Sequence, residues 1–146
     1  MANKKNNWLW NILIVVTIII SILAFTAHYK NWTEIKPNSF RVLSGIYYEK
    51  FNFSEVDSVE FVERIPPMQR LNGFSAFEVG KGVYQEFKDS LTDKKALVFI
   101  DNFERRKIRL VKKDASQFFI NLKDSVETDQ LFLLFQSKLE GLNSTE

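Results

Sequence analysis

The chain opens on a polar tail, residues 1–7, and then runs apolar. Trp8 to Ala27 reads WLWNILIVVTIIISILAFTA, and no charged side chain occurs between Lys5 and Lys30, with His28 counted as neutral. About twenty residues at 1.5 Å each span roughly 30 Å, the thickness of a bilayer's hydrocarbon core. Thr17 and Ser21 can bond back to their own helix. Trp8, Trp10, Tyr29 and Trp32 flank the run, where an aromatic belt belongs. The pattern predicts a transmembrane helix over residues 8–28. A cleaved signal peptide competes, with Lys4 and Lys5 as its basic region. The run exceeds the usual apolar length of roughly 7–15 residues, however, and Ala24-Phe25-Thr26-Ala27 is a poor small-x-small site. A buried core helix would need apolar neighbours on every face.

Residues 29–39, including Pro37, read as a polar linker. From Phe40 the period shortens to two. Phe40–Ser44 and Ile46–Phe51 read as one strand broken by a bend or bulge at Gly45. Ser58–Glu63 alternates through Val59 and Phe61, and Pro66-Pro67 cannot continue a central strand. Asn72-Gly73 signals a turn, Phe74–Val79 a strand, Gly80-Lys81-Gly82 a second turn, and Val83–Phe87 the returning strand. Residues 90–95 form a polar loop. Ala96–Ile100, Lys107–Val111 and Gln117–Leu122 complete the strands. Then the period lengthens. Asp124 or Ser125 can cap a helix whose apolar face carries Val126, Leu131, Leu134, Phe135, Leu139 and Leu142, with Gly141 near its end. The expected architecture is α+β and mainly β. It comprises the transmembrane helix, a tether, seven or eight short antiparallel strands in a small barrel or sandwich over residues 40–142, a C-terminal helix capping the open end, and a tail at 143–146.

Composition narrows the function more than it names it. Roughly 110 residues follow the apolar run, enough for one small domain. Leaving out Lys4 and Lys5, basic and acidic residues balance at 18 each, so nothing points to nucleic acid. With no cysteine and one histidine, disulfides, thiol catalysis, cysteine-ligated zinc and a one-chain Ser-His-Asp triad are excluded. The 14 phenylalanines favour an aromatic β core. Lysine and arginine nearly cancel across the apolar run, so topology is not fixed. Sequons at Asn31, Asn52 and Asn143 matter only in a glycosylating compartment.

Several segments resemble membrane-attached bacterial pleckstrin-homology-like (PH-like) domains. Ser44-Gly45-Ile46-Tyr47 resembles their "sGxYG" opening, with Tyr48 in place of the second glycine. Val56-Asp57-Ser58-Val59 is similar to "dI..v". Ile65-Pro66 followed by Arg70-Leu71-Asn72-Gly73-Phe74 resembles "lP…RtNGf". Gly80-Lys81-Gly82-Val83-Tyr84 resembles "G..kGyF", and Thr128-Asp129-Gln130-Leu131-Phe132 resembles the "T..ly" of the capping helix. The resemblance covers about residues 40–139. It implies a binding scaffold and not an enzyme, in a bacterial cell membrane, with a lean to the cytoplasmic side and no cofactor.

Two basic groups are candidate contacts. Arg105, Arg106, Lys107 and Arg109 sit in one cluster, with Lys107 and Arg109 on the strand face opposite Ile108 and Leu110. Each basic residue near a charged leaflet is worth about 1 kcal/mol, so the cluster suits anionic headgroups; because neighbouring acids dilute its field, a solvated face that blunts a sheet edge is the favoured reading. A loop over Pro66–Gly73 could present Arg64 and Arg70 to a partner; alternatively Asn72-Gly73 simply turns the chain and Arg70 bonds locally. Paired acids such as Glu60 and Glu63 lack a nearby histidine, phosphate loop or metal spacing, and no metal or small-molecule substrate is expected. The chain therefore reads as a single-pass anchored domain that engages a membrane protein or lipid headgroups. The alternative is a small structural subunit that assembles with a larger complex through its transmembrane helix.

Overall fold

The computed structural model describes residues 7–87 and 95–144; most of the polar loop expected at 90–95 lies outside them. A 22-residue helix, α1 (Trp8–Tyr29), opens the fold, and none of its residues is buried. Thr17, Ser21 and Thr26 return their hydroxyls to the carbonyls of Leu13, Thr17 and Ile22, each at 2.8 Å, so these three hydroxyls are satisfied within the helix.

Nine strands follow among the described residues, in two sheets. The first has β1 (Trp32–Ile35), β2 (Ser39–Ser44) and β3 (Tyr47–Asn52) in that order. The second has β4 (Val56–Val62), β5 (Met68–Ala76), β6 (Val79–Glu86), β7 (Lys95–Ile100), β8 (Lys107–Lys112) and β9 (Gln117–Asn121), ordered β4-β8-β9-β7-β6-β5. The helix α2 (Ser125–Asn143) ends the description. The α+β, mainly β architecture stands. A closed barrel does not form: neither sheet closes, and β7 pairs with β9 in parallel rather than antiparallel.

Three local expectations change. The stretch read as a tether holds β1, whose Trp32 and Ile35 pair with Leu43 and Phe40 of β2. Gly45 does not bend one strand; with Ile46 it turns the β2–β3 hairpin, at φ +64°. The glycines at 73 and 82 are not turn residues either. They face each other within the β5–β6 ladder at φ +140° and +143°, and the turn falls at Phe77-Glu78. A Cβ on Gly82 would stand 2.2 Å from the Asn72 carbonyl oxygen, and one on Gly73 equally close to that of Lys81. The glycines let the two backbones cross where side chains would hold them apart.

Alternation in the second sheet divides the core. Phe118, Ile120, Phe99, Ile108 and Leu110 face the first sheet and α2, and meet Phe40, Val42, Phe51, Leu131 and Phe135. Ring centroids lie 5.0 Å apart for Phe40–Phe135 and 5.3 Å for Phe99–Phe118, the tilted spacing favoured by aromatic quadrupoles. The opposite face buries Tyr84, Ala96, Val98, Ile100 and Phe119 under Val62, Ile65, Met68 and Phe103. Residues 63–67 join β4 to β5, which lie at opposite edges of the sheet. Five flat strand spacings would separate those edges by about 24 Å. Six residue steps reach only about 21 Å. The sheet is therefore curled around its second core, with its edges drawn together but unpaired.

Asp124 caps α2, accepting from the Val126 amide at 2.6 Å, and Thr128, Leu131 and Phe135 form its buried stripe. Val126 and Leu142, expected on that face, are exposed, while Phe132 stacks on Phe61 with centroids 3.9 Å apart. The glycine crossing gives a direct test. Gly82→Ala should cost more than about 2 kcal/mol by adding a clash to a strained backbone. An unchanged denaturation midpoint would mean that the strands do not approach so closely.

Candidate functional site at the helix exit

The most heavily constrained polar cluster lies where α1 meets the sheets. A helix leaves its last four carbonyls without partners. Here the Ala27 carbonyl accepts from the Gly45 amide at 3.2 Å, and the His28 carbonyl accepts from Lys81 Nζ at 3.2 Å. The β2–β3 turn and strand β6 thus supply the C-cap, and Lys81 sets a cation at the negative end of the helix dipole. A Cβ on Gly45 would fall 2.8 Å from His28 Nε2, so any other residue at this left-handed turn position would also displace the His28 ring.

Two residues beyond α1 the chain is already anchored. Asn31 is 4% exposed. Its amide donates to Asp101 Oδ2 at 2.8 Å; its Nδ2 donates to the carbonyls of Phe99 at 2.6 Å and Asn121 at 2.9 Å; its Oδ1 accepts from Ser44 Oγ. Asn121 in turn accepts the amides of Asp101 and Asn102. Lys81 and Asp101 form an ion pair at 3.1 Å with both side chains essentially removed from water. Burial pulls the Lys81 ammonium below its ordinary range and pushes the Asp101 carboxyl above its own; each is partly restored by the other, and Asp101 also by the Asn31 amide. Asn31 is thus a structural residue whose amide is fully engaged in the folded chain; Asn52 and Asn143 are exposed.

Beside this network a cleft of about 400 Å³ opens between the last turn of α1 and the β5–β6 hairpin. Phe25, His28, Tyr29, Phe74, Phe77 and Lys123 are among its walls. Lys123 Nζ lies 3.3 Å from the Tyr29 ring centroid, and Lys30 Nζ 4.5 Å from that of Trp32. A second groove, of about 670 Å³, lies at the other end of the domain, between the C-terminal half of α2 and the 3-10 turn Phe53–Glu55; Pro37, Phe53, Ser54 and Lys138 line it.

The basic residues singled out in the sequence are dispersed. Lys107 and Arg109 do share the face opposite Ile108 and Leu110, but that face is covered at Lys107 and partly open to solvent around Arg109. Lys107 is 1% exposed, and its ammonium donates to the carbonyls of Glu63 and Phe103. Burial lowers its pKa. Arg109 pairs with Glu60 at 2.6 Å and bonds Gln117. Arg106 grips both carboxylate oxygens of Asp129 at 2.8 Å and lies over the Phe61 ring. Arg105 donates to the Lys123 carbonyl. Arg64 and Arg70 are exposed on separate segments, and Arg70 lies close to Tyr84. Among the described residues, no group of three or more histidine, aspartate or glutamate side chains gathers to hold a metal.

No family model matches this chain. No curated protein and no solved structure matches it either.

Sequence reasoning missed Asn31, Lys81, Asp101 and Asn121. Lys81 stood between two glycines and read as a turn, and the other three carry no local pattern. The ion pair makes a testable demand. Lys81→Met would leave the Asp101 carboxylate buried without its cation, at a cost of about 3–5 kcal/mol. A carboxyl raised by burial is stable when protonated, and that stability is lost as pH rises through its folded pKa. The deficit of Lys81→Met should therefore be largest near neutral pH and shrink on acidification. Denaturant titrations in detergent micelles at both pH values check this; a deficit that ignores pH would refute it.

Proposed function

We propose that this chain is a single-pass bacterial membrane protein whose PH-like domain is a binding module, not an enzyme, mounted directly on the bilayer to engage a protein partner. The observation that carries the reading is the capped, buried exit of α1. That helix is long and apolar enough to cross a membrane, and Asn31 fixes the domain two residues after it ends. A PH-like fold is supported by the run of short strands ending in a helix that packs on the core. It is also supported by the placement of the resembling residues: Gly45 at a turn, Gly73 and Gly82 at the strand crossing, and Thr128 buried at the start of α2. Headgroup binding through Arg105, Arg106, Lys107 and Arg109 is the weaker arm, because each already has an internal partner. The groove beside α2 suits a protein segment: it is concave, and Phe53 gives it an apolar wall.

A structural subunit assembling through α1 remains the second reading, favoured by the exposure of every face of that helix. Exchange of residues 8–27 for an unrelated transmembrane helix separates the two. Cross-linking in native membranes should recover the same partner after the exchange, and should lose it when Ser54→Arg and Ser137→Arg fill the groove. Loss on exchange alone, with the groove variant still binding, would favour assembly through the helix.

A further inference from the structure

The end of the domain around the helix exit carries large apolar side chains that nothing among the described residues covers. Phe77, at the tip of the β5–β6 hairpin, is 103% exposed, and Ile46, at the tip of the β2–β3 hairpin, is 78% exposed. Both tips adjoin α1: Gly45 bonds to Ala27, and Phe77 and Phe74 share a cleft with Phe25 and Tyr29. Phe25 lies one helical turn before Tyr29, so the β5–β6 tip reaches back beyond the end of the helix. Phe77 also holds φ at +52°, a left-handed conformation disfavoured for a bulky aromatic, at a turn position where glycine or asparagine would sit without strain. On the neighbouring sheet, Trp32, Leu43 and Tyr48 are exposed side by side across β1, β2 and β3.

We infer that these side chains form a collar seated in the headgroup–acyl boundary of the bilayer, a second membrane contact besides α1. The inference rests on reading α1 as a membrane span. Its length argues for the occupant. Twenty-two residues at 1.5 Å give about 33 Å, against a hydrocarbon core of about 30 Å. No helical spacer is left to lift the domain clear, and the buried Asn31 allows no tether. A domain so mounted must bring Ile46 and Phe77 to the interface, where aromatic rings and lysine-capped aromatics are favoured. Lys30 over Trp32 and Lys123 over Tyr29 supply cations at that level.

The native chain has no cysteine, so single cysteines can be labelled one at a time in the full-length protein. Ile46→Cys and Phe77→Cys, each bearing an environment-sensitive fluorophore, would be reconstituted in vesicles containing phospholipid with a shallow acyl-chain quencher and, in a parallel set that reads position 20, with a deep one. Ile20→Cys reports on the span, and Lys113→Cys on the far end of the domain. Labels at 46 and 77 should be quenched several-fold more than the label at 113. If they behave like 113 while 20 is quenched, the collar is overturned and the anchor stands. If 20 also escapes quenching, the span itself is wrong and the collar falls with it.

Discussion

The structure depends on a polar joint buried between an apolar helix and an aromatic core. Asn31, Ser44, Lys81, Asp101 and Asn121 are joined to one another, and Lys81 also bonds the His28 carbonyl at the end of α1. Removing the two charges of Lys81 and Asp101 from water costs several kcal/mol for each, and their attraction at 3.1 Å does little more than offset that. The joint is therefore a poor source of net stability. What it fixes is position. An apolar contact between helix and sheet could slide, whereas five side chains with directed hydrogen bonds are satisfied in a single arrangement. The close approach of Gly45 to His28 follows from that arrangement.

A rigid joint gives the domain an axis. Its two hairpin tips lie at the helix exit, and β3 runs away from that exit for six residues, about 20 Å. The 3-10 turn and the groove beside α2 lie where β3 ends. The groove thus lies about 20 Å of strand away from the tips. The curl of the six-stranded sheet serves the same layout. It lets residues 63–67 bridge the two edges while Val62, Ile65 and Met68 cover the second core.

Periodicity revealed the elements and hid the joint. The apolar run, the α2 cap at Asp124 and six of the strands were legible, because each is a local pattern of burial. Local signals failed where tertiary context reused them. Gly73 and Gly82 carry turn chemistry but serve a strand crossing. Phe77, a poor turn residue, makes the turn. The polar stretch after α1 looked like a tether because Asn31 is polar, yet its polarity is the reason it is buried: it satisfies carbonyls that the ends of β7 and β9 leave open. The parallel β7–β9 pair was also out of reach, since pairing across twenty residues leaves no trace in alternation.

The basic cluster shows how far alternation carries a functional argument. It assigned Lys107 and Arg109 to the face opposite Ile108 and Leu110, and that assignment holds. It could not tell that Phe103 and the 63–67 connection roof part of that face, which turns Lys107 from a surface charge into a buried donor to two carbonyls. Arg106, on the adjoining turn, is held by Asp129 from α2, twenty-three residues later. Charges that read as a field in sequence are thus spent on closing the fold. At the helix exit, by contrast, the exposed side chains at the two hairpin tips, Ile46 and Phe77, are apolar. A flexible tether would let such a domain sample many heights and raise its effective concentration near any partner. Under the function proposed here, a rigid joint would instead hold the groove at one height, which would suit a partner that is itself fixed relative to the membrane.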